Sequence, residues 1–167
     1  SIDGGIGPYA VAPDGRRIAF LGTEHGKPER SYSQTDLWVV DAPGGAPRNL
    51  TAGYDFDSGG GVGGDQRAPR GGHPAAPVWD ADGRSIFMRA GIHGDADLVR
   101  VDVAGARVME PPAKRHHDVM SYTADRKASR FAMVISTNTS VGDLFVADGS
   151  GEPRRLTDFN QALFDQL

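Results

Sequence analysis

The stretch Val11-Ala12-Pro13-Asp14-Gly15-Arg16-Arg17-Ile18-Ala19-Phe20 returns as Trp79-Asp80-Ala81-Asp82-Gly83-Arg84-Ser85-Ile86-Phe87-Met88. Asp-Gly favours the positive-φ conformations of a tight hairpin turn. Each copy therefore reads as the end of one strand, a turn, and the start of an antiparallel strand. Tyr122-Thr123-Ala124-Asp125 through Phe131-Ala132-Met133 is a third, degenerate copy. In it Asp125-Arg126 stands for Asp-Gly, and the turn is expected to be longer by a residue or two.

A second element follows each copy: Asp36-Leu37-Trp38-Val39-Val40-Asp41, Asp97-Leu98-Val99-Arg100-Val101-Asp102 and Asp143-Leu144-Phe145-Val146-Ala147-Asp148. A third element appears twice, as Arg48-Asn49-Leu50-Thr51 and Arg155-Leu156-Thr157. Four short antiparallel strands per repeat make up a β-propeller blade. Asp82 to Asp125 is 43 residues, inside the roughly 40–50 of blade repeats. Asp14 to Asp82 is 68 residues, and the excess falls between Gly53 and Pro74, a Gly-rich stretch.

The expected fold is all-β: about three four-stranded antiparallel propeller blades in an incomplete ring, with a short C-terminal helix. Residues 1–52 form one blade, 53–75 a Gly-rich insert, 76–118 and 119–157 two further blades, and 158–167 a connector. The helix is expected because Phe159, Leu163 and Leu167 recur at every fourth residue, with Thr157 or Asp158 as N-cap. Propellers close with four or more blades. The chain is therefore expected to continue in its natural form or, less favoured, to associate with copies of itself. A start at Ser1-Ile2-Asp3, without Met, fits a fragment or a processed chain.

Composition agrees. Gly 23 and Pro 11 together make a fifth of the 167 residues, against a usual share of about 12%, which argues against long helices. Lys and Arg number 18 and Asp and Glu 22, a net charge of -4 with both signs interleaved. That leaves no basic stripe for nucleic acid. No apolar run reaches the roughly 20 residues that span a membrane. The absence of Cys excludes disulfides and thiolate metal ligands and suits a cytoplasmic protein.

The insert imitates several motifs. Gly59 to Gly64 satisfies GxGxxG, but no strand–helix context surrounds it. Gly60 to Asp65 opens like a calcium-binding nonapeptide, and Asp55-Phe56-Asp57 with Gly60 opens like an EF-hand loop. The first is a single copy; the second has Gln66 in place of the closing Glu. Contact is the better reading: Asp65, Gln66, Arg67, Arg70 and His73 stand in a Gly frame and are the candidate substrate or subunit contacts. His116-His117-Asp118 reads as a polar loop, since neighbouring histidines on a strand point to opposite faces. No metal site, cofactor or catalytic residue is assigned, and no Gly-x-Ser-x-Gly elbow occurs. Trp38, Trp79, Phe20, Phe87 and Phe131 read as blade core.

These residues resemble the propeller domain of the prolyl oligopeptidase family of serine peptidases, nearest its acylaminoacyl-peptidase branch. The resemblance rests on Pro13 to Phe20, Asp36 to Val39, the Gly-rich segment ending Ala68-Pro69-Arg70-Gly71-Gly72, and Arg154-Arg155-Leu156-Thr157-Asp158-Phe159-Asn160 followed by Leu163-Phe164 and Leu167. It implies a non-catalytic gate over the active site of an α/β-hydrolase domain that lies outside this chain. The implied partners are the rest of that peptidase chain (hydrolase domain and remaining blades), short or N-acylated peptide substrates, and further copies in a homo-oligomer. The alternative is a non-enzymatic protein-binding propeller. A glycan-processing propeller is disfavoured, because the repeats supply no clustered acid catalysts.

Overall fold

The computed structural model describes residues 3–26, 33–62, 75–111, 115–149 and 151–166. Among these residues, twelve strands follow one another in three meanders of four. The first is β1 (Ile6–Val11), β2 (Arg17–Gly22), β3 (Asp36–Asp41) and β4 (Arg48–Asn49). The second is β5 (Val78–Trp79), β6 (Ser85–Ile92), β7 (Asp95–Asp102) and β8 (Arg107–Met109). The third is β9 (Asp118–Ala124), β10 (Arg130–Thr137), β11 (Ser140–Asp148) and β12 (Arg154–Arg155). Within each meander, neighbours in sequence pair antiparallel. One parallel contact, Ala96 with Asp118, joins the second meander to the third. The array is three blades of a β-propeller that do not close a ring.

The repeated turn has one geometry in all three blades. Ala12 N–H donates to Arg17 C=O at 2.8 Å, Asp80 to Ser85 at 2.9 Å and Asp125 to Arg130 at 3.0 Å. The fourth residue of each turn is left-handed: Gly15 (φ 70°), Gly83 (φ 65°) and Ala128 (φ 51°). The third turn is therefore not longer. Asp125 matches Asp80 rather than Asp82, and Ala128 takes the glycine's place. Asp125 supports that strained turn by accepting Ser129 N–H at 2.7 Å and Ser129 O–H at 2.8 Å.

This alignment fixes which way each side chain faces. Along the second strand of a blade, the fourth and sixth residues after the left-handed position of the first blade, Ala19 and Leu21, point to the second blade. The third and fifth of the second blade, Ile86 and Met88, point back at them. These four meet in one buried cluster, completed by Leu37, Val39, Leu50, Trp79, Val99 and Val101. Phe87 of the second blade meets Phe131 and Met133 of the third in another, with Leu98, Val119 and Ile135. Phe87 and Phe131 approach at 4.8 Å between ring centroids, tilted. Trp38, Trp79, Phe20, Phe87 and Phe131 are buried as expected, although Phe87 faces the opposite way from Phe20 and Phe131. β6 and β7 are apolar on both faces because both are covered.

Arginines staple the first blade to the second. Arg17 lies over the Trp79 ring at 5.0 Å and donates to Gly83 C=O at 2.9 Å. Trp79 Nε1 donates to Ala10 C=O, and Arg48 donates to Val103 C=O at 2.6 Å. The helix is one turn, α1 (Gln161–Phe164), capped by Asn160 without a side-chain bond. Thr157 does not cap it, because its hydroxyl is engaged with Asp143 and Leu144 N–H.

Candidate functional site

The inner edge of the second blade is built from two separate pieces of chain. Val78 and Trp79 of β5 pair with Phe87 and Ile86. Farther along β6, Ser58 pairs with Ala90, Gly59 N–H donates to Arg89 C=O at 2.6 Å, and Gly91 N–H donates to Asp57 C=O at 3.3 Å. The chain thus runs along β6 up to Gly60, leaves, and returns at Val78 on the same line. The Gly-rich insert springs from within the first strand of a blade, the strand that borders the central channel of a propeller.

Both roots of the insert are held. Arg89 donates to Gly59 C=O from Nε (3.3 Å) and Nη2 (2.9 Å), and from Nη1 to Val119 (3.2 Å) and Met120 (3.0 Å) of β9. One guanidinium therefore joins the outgoing root to the inner strand of the third blade, a use that suits its planar fork of donors. The returning root is held by Tyr122, whose hydroxyl donates to Ala76 C=O at 2.8 Å. Burial pushes the Tyr122 phenol pKa well up, against the opposing influence of Arg89. The glycines answer to space here. A Cβ on Gly59 (φ 80°) would stand 2.6 Å from Leu21 Cδ1, and one on Gly61 3.1 Å from Arg89 Cζ.

Open clefts flank the outgoing root. One of about 610 Å³ is lined by Ile6, Pro8, Leu21, Thr23, Asp57 and Gly59 among others. The other, of about 550 Å³, takes in Gln34, Phe56, Asp57, Gly61, Val62 and Asp95. Phe56 is fixed by edge contacts to Tyr54 (5.3 Å) and His93 (4.8 Å). The Tyr54 phenol pKa is raised by burial and by Glu110.

A charged cluster lies beside the second and third blades. Asp97 is buried and meets Arg115 Nη1 at 3.2 Å and His117 Nε2 at 3.4 Å, and Arg115 reaches on to Glu152 at 3.4 Å. His116 and His117 lie in the loop before β9, as expected, and the loop carries part of this cluster. His116 takes a positive φ of 52°, His117 is buried on Asp97, and Asp118 opens β9. Among the described residues, no group of three or more His, Asp and Glu is placed to hold a metal ion. Among the same residues, no helix is long and apolar enough to cross a membrane.

Asp65, Gln66, Arg67, Arg70 and His73 lie outside the described residues. The residues that position the insert, Arg89 and Tyr122, were not read from the sequence as site residues. Arg89 carried a signal, as a lone charge inside the apolar run from Ile86 to Ala90. Tyr122 carried none beyond its place in the repeat. Chemically, the guanidinium and the carbonyls satisfy one another and position the roots, and the clefts beside the outgoing root are open.

No protein-family model matches the chain, and no curated protein sequence does. Solved structures do. Acylaminoacyl peptidase from Pyrococcus horikoshii is 23% identical over 92% of this chain and 20% of its own, with a TM-score of 0.61. The β-propeller domain of the Trilobed protease from Pyrococcus furiosus, described as having an open velcro topology, is 19% identical over 88% of this chain and 38% of its own, TM-score 0.56. TolB from Acinetobacter baumannii is 18% identical over 93% of this chain and 33% of its own, TM-score 0.59. The chain spans about a fifth of the first of these and between a third and two fifths of the other two. What these likenesses establish together is the fold: the chain is a run of β-propeller blades, similar to a part of larger peptidase and TolB chains.

Proposed function

We infer that the chain is the non-catalytic, substrate-screening propeller portion of a serine peptidase that cleaves short or N-acylated peptides. The hydrolase domain and remaining blades belong to the same longer polypeptide. The observation that carries this reading is the origin of the insert in the innermost strand of the second blade. Its two roots pair with the same strand β6, and roots on an inner strand suit a screening role better than roots on an outer rim. Asp65, Gln66, Arg67, Arg70 and His73 are proposed as its contacts with a peptide terminus or a neighbouring subunit. Arginine and carboxylate groups are suited to both. The likeness to two peptidases supports the assignment. A cytoplasmic location and a homo-oligomeric parent belong to the same proposal.

The test is fluorophosphonate labelling of the source preparation, read on a denaturing gel with peptide mapping. A labelled band well above 17.7 kDa that contains peptides of this chain supports the reading. In that parent, changing Arg67 and Arg70 together to Ala is expected to raise KM for short peptides and leave kcat in place. The second reading is a propeller that binds partner proteins without a hydrolase domain; the chain is similar in fold to TolB as well as to the peptidases. Absence of any labelled parent selects it.

A further inference from the structure

We propose that Pro8 and Ser121, the surplus residues of two matching β-bulges, determine specificity by meeting the passing peptide on either side of the insert. The proposal deepens the screening role and rests on that reading of the chain.

The three inner strands break register at one level. Counted from the left-handed turn residue of each blade, the seventh residue on pairs with Ile6 in the first blade, Ser58 in the second and Val119 in the third. The fourth pairs with Ala10, Val78 and Thr123. A regular strand places two residues between these levels. β1 has three, Gly7 to Tyr9, and β9 has three, Met120 to Tyr122. The second blade has nineteen, Gly59 to Pro77. The insert is therefore the bulge of its two neighbours, enlarged. A bulge re-aims a side chain, and bulges gather beside functional sites.

The alternation of side chains along β9 shows which residue is surplus. Val119 is sealed in the cluster with Phe87 and Leu98, and Tyr122 donates to Ala76 C=O, so both turn to the second blade. Met120 lies on the opposite face, its sulfur 3.5 Å from where a Cβ on Gly142 would stand. Ser121 is left over, exposed on the strand that borders the channel. In β1 the same levels put Ile6 in place of Val119, Gly7 of Met120, Pro8 of Ser121 and Tyr9 of Tyr122. Proline suits a bulge, because it has no N–H to leave unpaired. Pro8 lines the cleft of about 610 Å³ whose other wall includes Gly59 and Gly60 of the outgoing root. Ser121 follows Met120, whose carbonyl shares the Arg89 guanidinium with that of Gly59. The two surplus residues thus flank the outgoing root at its own level. Neither is charged, so they set the width beside the insert while the insert supplies the charges.

Ser121→Trp in the labelled parent enzyme tests this by narrowing the channel at that level. KM for short N-acetylated peptides is expected to rise about tenfold with kcat in place, the pattern of binding lost equally in ground and transition states. Ser121→Ala keeps the space and is expected to match the native enzyme. Ala104→Trp, at an exposed position in the turn between β7 and β8, is expected to leave KM unchanged. Melting temperatures of all three variants are expected to match the native one. An unchanged KM in Ser121→Trp overturns the proposal. An equal rise in Ala104→Trp, or a rise that comes with a fall in melting temperature, overturns it too. If Ser121→Trp leaves KM unchanged while the double change of Arg67 and Arg70 to Ala raises it, the screening reading stands and this proposal falls. Absence of any labelled parent removes both.

Discussion

Thr157 holds Asp143 in the third blade as Thr51 holds Asp36 in the first. Each hydroxyl donates to its carboxylate at 2.8 Å and accepts the next Leu N–H at 2.9 Å. The clasp ties the last strand of a blade to the start of the third strand. Thr51 is buried and Thr157 partly exposed, so the two tests are unequal. Thr51→Ala is expected to cost about 1–3 kcal/mol by leaving a buried N–H and carboxylate short of partners, and Thr157→Ala less. Urea denaturation of the two variants measures the difference. Equal, negligible losses would show the clasp to be incidental.

The same clasp sets an acid limit. Burial by itself raises the Asp143 pKa, but the Thr157 hydroxyl, the Arg155 guanidinium and Phe159 N–H outweigh it and hold the carboxyl below its usual range. Asp125 is lowered too, chiefly by the Ser129 hydroxyl and then Arg130 N–H. A depressed folded-state pKa contributes stability that is complete above the unfolded value of about 3.9 and is lost as pH falls through the folded one. The melting temperature is expected to fall below about pH 4, and Asp143→Asn to flatten that fall while lowering the plateau near neutrality. A plateau that extends unchanged through this window in the native chain contradicts the assignment.

The turns predict an order of effects. Gly15 has open space around its absent Cβ, so Gly15→Ala carries only the left-handed penalty, about 1–2 kcal/mol. Gly83→Ala adds a 2.9 Å approach to Arg17 Nη2, the donor to Gly83 C=O, and is expected to cost more. Ala128→Gly relieves the strain but gives up a buried methyl, a loss of about 0.8 kcal/mol. A small net gain is expected. Denaturant midpoints in any other order would break the equivalence of the three turns.

The repeat was legible because strand, turn and facing direction are local properties of a period-two pattern. Val11 to Phe20 and Trp79 to Met88 carry them in full. The third turn was misaligned because Asp125 has the chemistry of Asp14 and Asp82 but the position of Asp80; only the Ala128 conformation separates the two. Arg89 and Tyr122 escaped because their partners are backbone carbonyls from 30 and 46 residues away, which no spacing encodes. The Gly53 to Pro74 segment was recognisable as an insert. Its origin inside an inner strand came from the pairing of Ser58 with Ala90, a contact that composition does not show.

The Asp97 cluster is a case of a charge kept buried by its partners. Removing Arg115 leaves the Asp97 carboxylate buried beside His117 and Leu98 N–H, without its guanidinium. Breaking such a pair costs about 3–5 kcal/mol, and Arg115→Ala is expected to fall at the lower end because His117 remains. Glu152 touches the same arginine from an exposed position, and Glu152→Ala is expected to change stability by less than about 1 kcal/mol. Thermal melts of both variants decide whether the buried or the exposed carboxylate matters.

Arg89 gives the sharpest test of how the insert is held. Its guanidinium satisfies three carbonyls, Gly59 on the outgoing root and Val119 and Met120 on β9. Met fills much of the same volume but donates nothing, so Arg89→Met leaves those acceptors unpaired. Hydrogen bonds to charged groups are worth about 1.5–3 kcal/mol, and a loss of that size is expected. Lys supplies one point charge in place of the fork and cannot span both strands, so Arg89→Lys is expected to fall between. If the guanidinium fixes the root, Arg89→Met speeds hydrogen exchange at Gly59 and Gly91, whose N–H groups bond between the root and β6, more than at Ala19 or Val39 in the first blade. Uniform acceleration across all these amides would make Arg89 a general stabiliser of the blade stack and remove its claim to position the insert.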